Sequence, residues 1–174
     1  MLTLDVPSVE FYTDHFFNFP GGKLELEHSL ESVSKWESKY KRPFSSKEEK
    51  TDEETLDYIR MMTLNEVDPL IYNALTSEDY EKIGAYVNDS QTATWFSNQD
   101  SKPSFEIITA ERIYYAMIRE GIPFSCEKWH INRLLTLIRV CQESNSPKKM
   151  SREEVMRRNK EINAQRRAEL HTRG

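Results

Sequence analysis

The feature that most constrains the fold of this chain is the apolar stretch Thr109–Gln142, which is interrupted by a Gly-Ile-Pro sequence. In its first part, apolar side chains recur at i, i+3, i+4 and i+7, the spacing of one face of an α-helix. These side chains are Ala110, Ile113, Tyr114 and Met117. Thr109 is a natural N-cap, Gly121 suits a left-handed C-terminal residue, and Pro123 cannot continue the helix. The stretch therefore predicts two helices that are joined by a tight turn and pack side by side.

The second helix of this pair is predicted to begin at Ser125, a residue type that often caps helices. Its apolar side chains form a stripe that is broad enough for burial. The stripe comprises Ile131, Leu134, Leu135, Ile138 and Cys141. Cys126 lies on the same predicted helix, roughly 22 Å from Cys141 at the α-helical rise, so the two thiols cannot form a disulfide. We therefore expect two free cysteines, and we expect this helix pair to be the hub of the core.

A different pattern, at the N-terminus, is typical of β-strands. Leu2, Leu4 and Val6 alternate with polar residues, and the leucines of Lys23–His28 alternate in the same way. A Pro-Gly-Gly turn signal directly precedes the second segment. The two segments therefore predict a small antiparallel ribbon.

Between the two predicted strands, residues 11–19 contain five aromatic side chains without a clear period. Two interpretations stay open, because aromatic residues either fill a core or form an exposed surface that binds a partner. On the second interpretation, Phe16, Phe17 and Phe19 are candidate partner-binding residues. Trp36, on the next predicted helix, is a further candidate.

Further segments carry helix-start signals that are followed by apolar residues at helical spacing. They are residues 29–41 after the cap Ser29, 51–64 with the capping box Thr51-x-x-Glu54, 68–74 with Asp68-Pro69, a helix from Thr76, and 151–170 with Ser151-x-x-Glu154. The predicted fold is mainly α, a compact helical domain with a small N-terminal β-ribbon and a C-terminal basic helical extension. The predicted divisions are 1–28 for the ribbon and aromatic loop, 29–143 for the helical core domain and 144–174 for the basic tail.

Charge is distributed unevenly along the chain. Residues 148–174 contain nine Lys/Arg and four Asp/Glu, a local charge of +5, whereas the other 147 residues contain 15 basic and 25 acidic side chains, a charge of −10. This asymmetry indicates an acidic body with a basic arm that binds an acidic protein, a nucleic acid or a neighbouring copy. The candidate partner-binding residues of the arm are Lys148, Lys149, Arg152, Arg157, Arg158, Arg166 and Arg167.

No pattern in the sequence predicts an enzyme, a cofactor or a metal site. The four histidines are scattered, none lies at a zinc-binding spacing from a cysteine, and no glycine-rich phosphate loop is present. Cys126 and His130 form one alternative, a thiol–imidazole pair at i, i+4, but their apolar helix lacks the cationic setting that a thiolate needs. No apolar run approaches the roughly 20 residues of a membrane span, so a membrane is not expected as a partner.

Nucleic-acid binding is another alternative, because two helices joined by a short glycine-containing turn outline a helix-turn-helix. The polar residues that would face DNA are Lys128, Asn132, Arg133 and Arg139. DNA-binding domains usually carry a basic footprint on their folded part, whereas this body is acidic and its second helix is largely apolar. The sequence therefore favours a protein partner over a nucleic acid.

Five stretches together resemble one protein family. They are Leu26–Phe44 (LEHSLESVSKWESKYKRPF), Thr92–Phe96 (TATWF), Lys128–Cys141 (KWHINRLLTLIRVC), Pro147–Ser151 (PKKMS) and Asn163–Ala168 (NAQRRA). They are similar to small proteins encoded in the tail-morphogenesis region of siphophages, usually described as tail assembly chaperones or tail-associated proteins.

The resemblance implies a non-enzymatic protein that coats the tape measure protein and recruits tail tube subunits. A tape measure is long and helical, so its apolar surface suits a helix-in-groove contact. The resemblance implies that the basic arm recruits the tube, with self-association as a further mode and the cytoplasm of the infected host as the location. The alternative is a structural component of the virion, either a minor tail protein or a connector.

Overall fold

The computed structural model describes residues 1–12, 16–96, 108–145 and 152–169. The chain divides into two compact units, Met1–Gln142 and Glu143–Gly174. The first unit consists mainly of helices that follow N-terminal antiparallel strands, and the second contains the C-terminal helix. The predicted fold class, mainly α with an N-terminal β-ribbon and a C-terminal basic helical extension, is therefore confirmed.

The N-terminal strands form two antiparallel ladders. The strands are β1 (Leu2–Val6), β2 (Val9–Tyr12), β3 (Phe16–Phe19) and β4 (Gly22–Leu26). β1 pairs with β4 and β2 pairs with β3. The ladders share one register, with Leu2 opposite Leu26 and Val9 opposite Phe19, so they are two parts of a single hairpin. They separate where each side of the hairpin contains a proline, which has no N–H for a ladder bond.

The predicted ribbon between Leu2–Val6 and the segment from Lys23 is confirmed, but its continuation through β2 and β3 was not predicted. Aromatic residues favour strands as well as cores, so the aromatic run carried a strand signal without a clear period. Gly21 makes the turn into β4 with φ +86, and a Cβ there would lie 3.0 Å from the carbonyl oxygen of Val6. This turn therefore requires glycine.

Six α-helices and two 3₁₀ helices follow in the described residues. The α-helices are α1 (Leu30–Tyr40), α2 (Asp52–Met62), α3 (Ser77–Asn88), α4 (Ala110–Glu120), α5 (Ile131–Asn145) and α6 (Arg152–Glu169), and the 3₁₀ helices are Pro69–Ala74 and Phe124–Lys128. Ser29, Thr51 and Thr76 cap the first three α-helices through capping boxes. The predicted starts of these helices are therefore confirmed. The segment after Asp68 is helical as predicted, although it is 3₁₀ rather than α.

The structure corrects the prediction that one helix runs from Ser125 to Gln142. Gly121 ends α4 in the left-handed conformation with φ 69, as predicted, but a separate 3₁₀ helix follows, and α5 begins only at Ile131. The reason is a long-range backbone contact, since His130 forms an antiparallel bridge with Ser29. A residue held in a β-bridge cannot also belong to the helix, so α5 starts after it.

The N-terminus of α4 is capped by a distant side chain. Thr109 makes no side-chain cap hydrogen bond. Instead, the carboxylate of Glu37 on α1 accepts hydrogen bonds from the backbone N–H of Ala110 and of Phe44, each at 2.7 Å. Thr109 is the N-cap residue, as predicted, but the first orphan N–H of the helix is satisfied by a buried glutamate from α1 rather than by the threonine side chain.

The core of the first unit is shared among the hairpin and several helices. Its most deeply buried apolar side chains include Leu24, Leu26, Leu30, Trp36, Ile59, Met62, Met117 and Leu134. They come from β4, α1, α2, α4 and α5, so α4 and α5 are part of the core rather than its single hub. Aromatic rings interlock within it, with Phe44 5.2 Å from Trp36 and 4.3 Å from Tyr58 between ring centroids.

The second unit contains α6, whose described side chains are exposed, including Met156 and Ile162. Residues 146–151, with Lys148 and Lys149, lie outside the described part of the chain.

Among the described residues, no helix combines the length and the apolarity that a membrane crossing requires.

Candidate partner-binding surfaces

The titratable side chains in the core serve the fold. His28 follows β4 and is 4% exposed, and its Nδ1 shares a short hydrogen bond with the hydroxyl of Tyr58 on α2. Burial, reinforced by the nearby His130 and Lys50, lowers the pKa of His28 to about 3, and burial raises the pKa of Tyr58. Both groups are therefore uncharged at neutral pH and form a neutral hydrogen-bonded pair.

His130 has both ring nitrogens engaged within the fold. Its Nε2 donates to the carbonyl oxygen of Tyr86 at 3.1 Å, and its Nδ1 accepts from the N–H of Asn132 at 3.3 Å. These contacts leave no ring nitrogen for the thiol of Cys126. Cys126 is 6% exposed and lies on the 3₁₀ helix, whereas Cys141 lies on α5, and both are free thiols. The Cys126–His130 alternative is contradicted by this geometry.

Buried carboxylates are likewise used inside the fold. Asp57 on α2 binds Lys39, accepts from the hydroxyl of Tyr40 at 2.6 Å and pairs with Arg60 at 3.0 Å. These hydrogen bonds, with that from Lys39 the strongest, lower the pKa of Asp57 to about 2. Within the described ranges, no group of three or more His, Cys, Asp and Glu side chains could hold a metal ion.

Two of the aromatic candidates from the sequence are buried and cannot contact a partner. Phe19 is 2% exposed and Trp36 is 0% exposed, and the indole N–H of Trp36 donates to the carbonyl oxygen of Glu54 at 3.1 Å. The assignment of these two residues to a partner surface is corrected, since their rings fill the core. Phe16 and Phe17 belong to β3, and their side chains lie outside what the structure describes.

The arginine candidates lie on α6, a helix in which the order of acidic and basic residues along the chain is stabilising. Arg157, Arg158, Arg166 and Arg167 are exposed, and Arg152 is the first helical residue. Two glutamates precede Arg157 and Arg158 by four residues each, an order that stabilises a helix by about 0.3–0.5 kcal/mol per pair. Arg166 and Arg167 occupy the last turn, where positive charge is favoured by the helix dipole. The helix thus presents arginines without an apolar face of its own.

A further surface was not predicted to bind a protein, although two of its arginines, Arg133 and Arg139, were candidates for facing DNA. We call it the α5 face, and it consists of Trp95, Phe96, Trp129, Arg133, Arg139 and Val140. The guanidinium of Arg133 lies 4.4 Å from the centroid of the Trp129 ring, and that of Arg139 lies 3.9 Å from the Phe96 ring. Trp129 and Val140 are each 36% exposed, and Trp95 is 85% exposed.

The fold positions the α5 face by anchoring the start of α5. The N–H of Ile131 donates to the carbonyl oxygen of His28 at 2.7 Å. The side chain of Asn132 donates to the carbonyl oxygens of Val87 at 3.3 Å and Asp89 at 2.8 Å, at the end of α3. Asn132 is therefore structural, which corrects its assignment to a DNA-reading face. The sequence signal for this surface was a Trp-Phe pair in an otherwise polar segment.

The α5 face has the composition that protein interfaces favour. Tryptophan and arginine are enriched among the residues that dominate binding energy, whereas a solvent-exposed tryptophan without a partner leaves a large apolar ring in water. Comparison of the chain with protein-family models, with curated proteins and with solved structures found no match.

Proposed function

We propose that this protein is a non-enzymatic tail-morphogenesis protein of a siphophage, acting as an assembly chaperone that binds the tape measure protein and recruits tail tube subunits. The observation that carries the proposal is the α5 face. Its residues fall within two of the stretches that carry the resemblance, Thr92–Phe96 and Lys128–Cys141. The exposed side chains of those stretches, Trp95, Trp129 and Arg133, are thus the ones that fit a protein partner.

The chemistry of the α5 face suits a helical partner with apolar and acidic side chains. The rings of Trp95 and Trp129 offer large apolar surfaces, and burying such a ring at the centre of an interface typically contributes about 2 kcal/mol or more. The guanidinium groups of Arg133 and Arg139 already lie against aromatic rings. Their side chains therefore lose less conformational entropy when they pair with carboxylates. An amphipathic helix of a tape measure protein presents side chains of both kinds.

Under this proposal α6 is the recruiting arm. The helix presents exposed arginines, and the basic segment contrasts with the charge of −10 on the rest of the chain. Its target is then an acidic surface on a tail tube subunit. Binding of this kind weakens as ionic strength rises, because the exposed charges are screened.

Co-expression tests the first part of the proposal. A tape measure segment expressed with this protein should remain soluble and co-purify with it, whereas the same segment alone should aggregate. A matched variant, Trp95→Ser with Trp129→Ser, removes the two exposed rings from the α5 face without touching the core, and it should leave the segment insoluble. Retention of a soluble complex by that variant, or no complex with any tail protein, would contradict the proposal.

Deletion of residues 148–174 tests the second part. The truncated chain should still bind the tape measure segment but should capture tail tube subunits less well, by about tenfold, since the basic arm is absent. Mass spectrometry of purified particles separates a chaperone from the alternative of a minor tail or connector protein. A chaperone is absent from finished virions, and a stoichiometric presence there would support the structural alternative instead.

A further inference from the structure

One side of strand β1 has no strand beside it. On its other side β1 pairs with β4, from Leu2 opposite Leu26 to Val6 opposite Gly22. Within the described ranges, no further strand or bridge pairs with β1. The far side of β4, in contrast, is hydrogen-bonded to residues 62–65. An edge strand of this kind presents backbone groups that can pair with a strand from another chain.

The hydrogen bonds of β4 identify which backbone groups of β1 are free. In an antiparallel ladder, successive residues direct their N–H and C=O groups to alternate sides of the strand. The N–H of Glu25 donates to the side chain of Asn65 at 3.0 Å, and its C=O accepts from the N–H of Leu64 at 2.9 Å. Both groups therefore point away from β1. Thr3 lies opposite Glu25, so the N–H and C=O of Thr3, and those of Asp5 two residues later, point away from β4 to the free edge.

These groups are available to an incoming strand. In the part of the chain that the structure describes, no hydrogen bond engages the backbone N–H or C=O of Thr3 or Asp5, and both residues are exposed. They supply two donors and two acceptors. Pro7 has no N–H with which to extend the ladder beyond Asp5. The edge therefore suits a short extended segment rather than a long strand.

The charge of this surface favours a basic segment. Asp5 is exposed, and its carboxylate forms no ion pair with a described residue, although Lys23 lies opposite it on β4. Glu25, on the same face of the sheet, is partly exposed. The chain outside residues 148–174 carries a charge of −10, which repels a second copy of itself and attracts a basic partner. A lysine or arginine opposite Asp5 would form a favourable cross-strand pair.

We propose that the free edge of β1 binds an extended segment of a partner protein, in which basic and apolar residues alternate, as an added antiparallel strand. The basic residues lie opposite Thr3 and Asp5 and exchange backbone hydrogen bonds with them. The apolar residue between them lies on the face of the sheet where Leu4 is buried. In strand addition, main-chain hydrogen bonds supply affinity and alternate side chains supply specificity. The edge shares no residue with the α5 face, and the proposal does not depend on the proposed function.

A short fluorescein-labelled peptide in which lysine and valine alternate tests the proposal by fluorescence anisotropy. N-methylation of its lysine amides removes the donors that face β1 and should weaken binding by about tenfold or more. N-methylation of its valine amides keeps those donors and should change binding little. With peptide bound, the amides of Thr3 and Asp5 should exchange about tenfold more slowly, whereas the amide of Leu4 already bonds to β4 and should change little.

Variants of the protein test the same contacts from the other side. Thr3→Pro removes a donor at the free edge but no hydrogen bond of the β1–β4 ladder, so a protein with unchanged thermal stability should lose peptide binding. Thr3→Ala keeps the N–H and should bind as the wild-type protein does. Asp5→Lys should weaken binding by about tenfold. Glu49→Lys, at an exposed position between α1 and α2, makes the same charge change and should have little effect.

Three results would overturn the proposal. They are absence of peptide binding, equal affinity for the two N-methylated peptides, and unchanged amide exchange of Thr3 and Asp5 with peptide present. Protection of those amides that rises with protein concentration without peptide would also overturn it, because the edge would then bind a second copy. None of these results bears on the α5 face, whose variants are tested with a tape measure segment.

Discussion

Among single residues, His28 has the clearest measurable consequence. Its imidazole is buried against Tyr58 and His130, and its pKa of about 3 lies far below the ordinary value of 6.5. Between these two values the unfolded chain binds a proton that the folded chain excludes, so stability rises with pH. The stabilisation is complete above about pH 6.5 and is lost progressively as the pH falls toward 3.

His28→Gln tests this coupling. Glutamine can still hydrogen-bond to the hydroxyl of Tyr58 but cannot titrate, so the variant should be less stable near neutral pH and less sensitive to acid. Urea unfolding near neutral pH and at about pH 4 should show that the wild-type advantage shrinks by on the order of a few kcal/mol. An equal loss of stability in both proteins on acidification would show that His28 is not the group responsible.

Single residues also show which features of the fold could not be predicted from the sequence. His28 and Tyr58 are 30 residues apart, and no local pattern connects them. The prediction that Trp36 lies on a helix is confirmed. Its burial could not be predicted, because it depends on how α1 packs against the rest of the fold, and the structure places the ring in the core. Trp95 is the reverse case. An aromatic residue in a polar segment can be assigned to a binding surface only when the fold shows that its side chain is exposed.

Among elements, the helices differ in whether the contact that fixes their first residue comes from nearby in the sequence or from far away. Ser29 and Thr51 cap helices with partners three residues away, so a window of four residues was enough to predict them. The cap of α4 comes from Glu37, 73 residues before Ala110, and the start of α5 is fixed by the bridge from His130 to Ser29. The start of α5 was predicted wrongly, and the carboxylate that caps α4 was not predicted, because nothing near those helix ends encodes either contact.

Glu37→Ala tests the long-range cap. The substitution leaves the N–H groups of Ala110 and Phe44 without their acceptor, so we expect a loss of about 2–3 kcal/mol in the free energy of unfolding. Amide exchange at the first turn of α4 should also accelerate. Glu53→Ala, in the exposed first turn of α2, removes a carboxylate of the same size and should cost well under 1 kcal/mol. Equal losses in the two variants would mean that Glu37 does not act as a cap.

At the scale of the whole molecule, the chain separates three tasks. The buried histidines and carboxylates hold the first unit together, the α5 face exposes tryptophan rings, and α6 carries a cluster of arginines. The mainly helical fold and the charge asymmetry could be predicted from the sequence, because periodicity and charge are local properties. The α5 face could not, because it combines a loop and a helix that meet only in the fold.

Under the proposed function, the most direct measurement is the affinity of the purified protein for a soluble segment of a siphophage tape measure protein, determined by titration calorimetry. The account predicts that Trp129→Ala with Arg133→Ala weakens binding by at least tenfold, whereas Lys82→Ala, on the exposed side of α3, leaves it unchanged. Equal affinity of the α5-face variant and the wild-type protein, or no binding by the wild-type protein, would contradict the central claim.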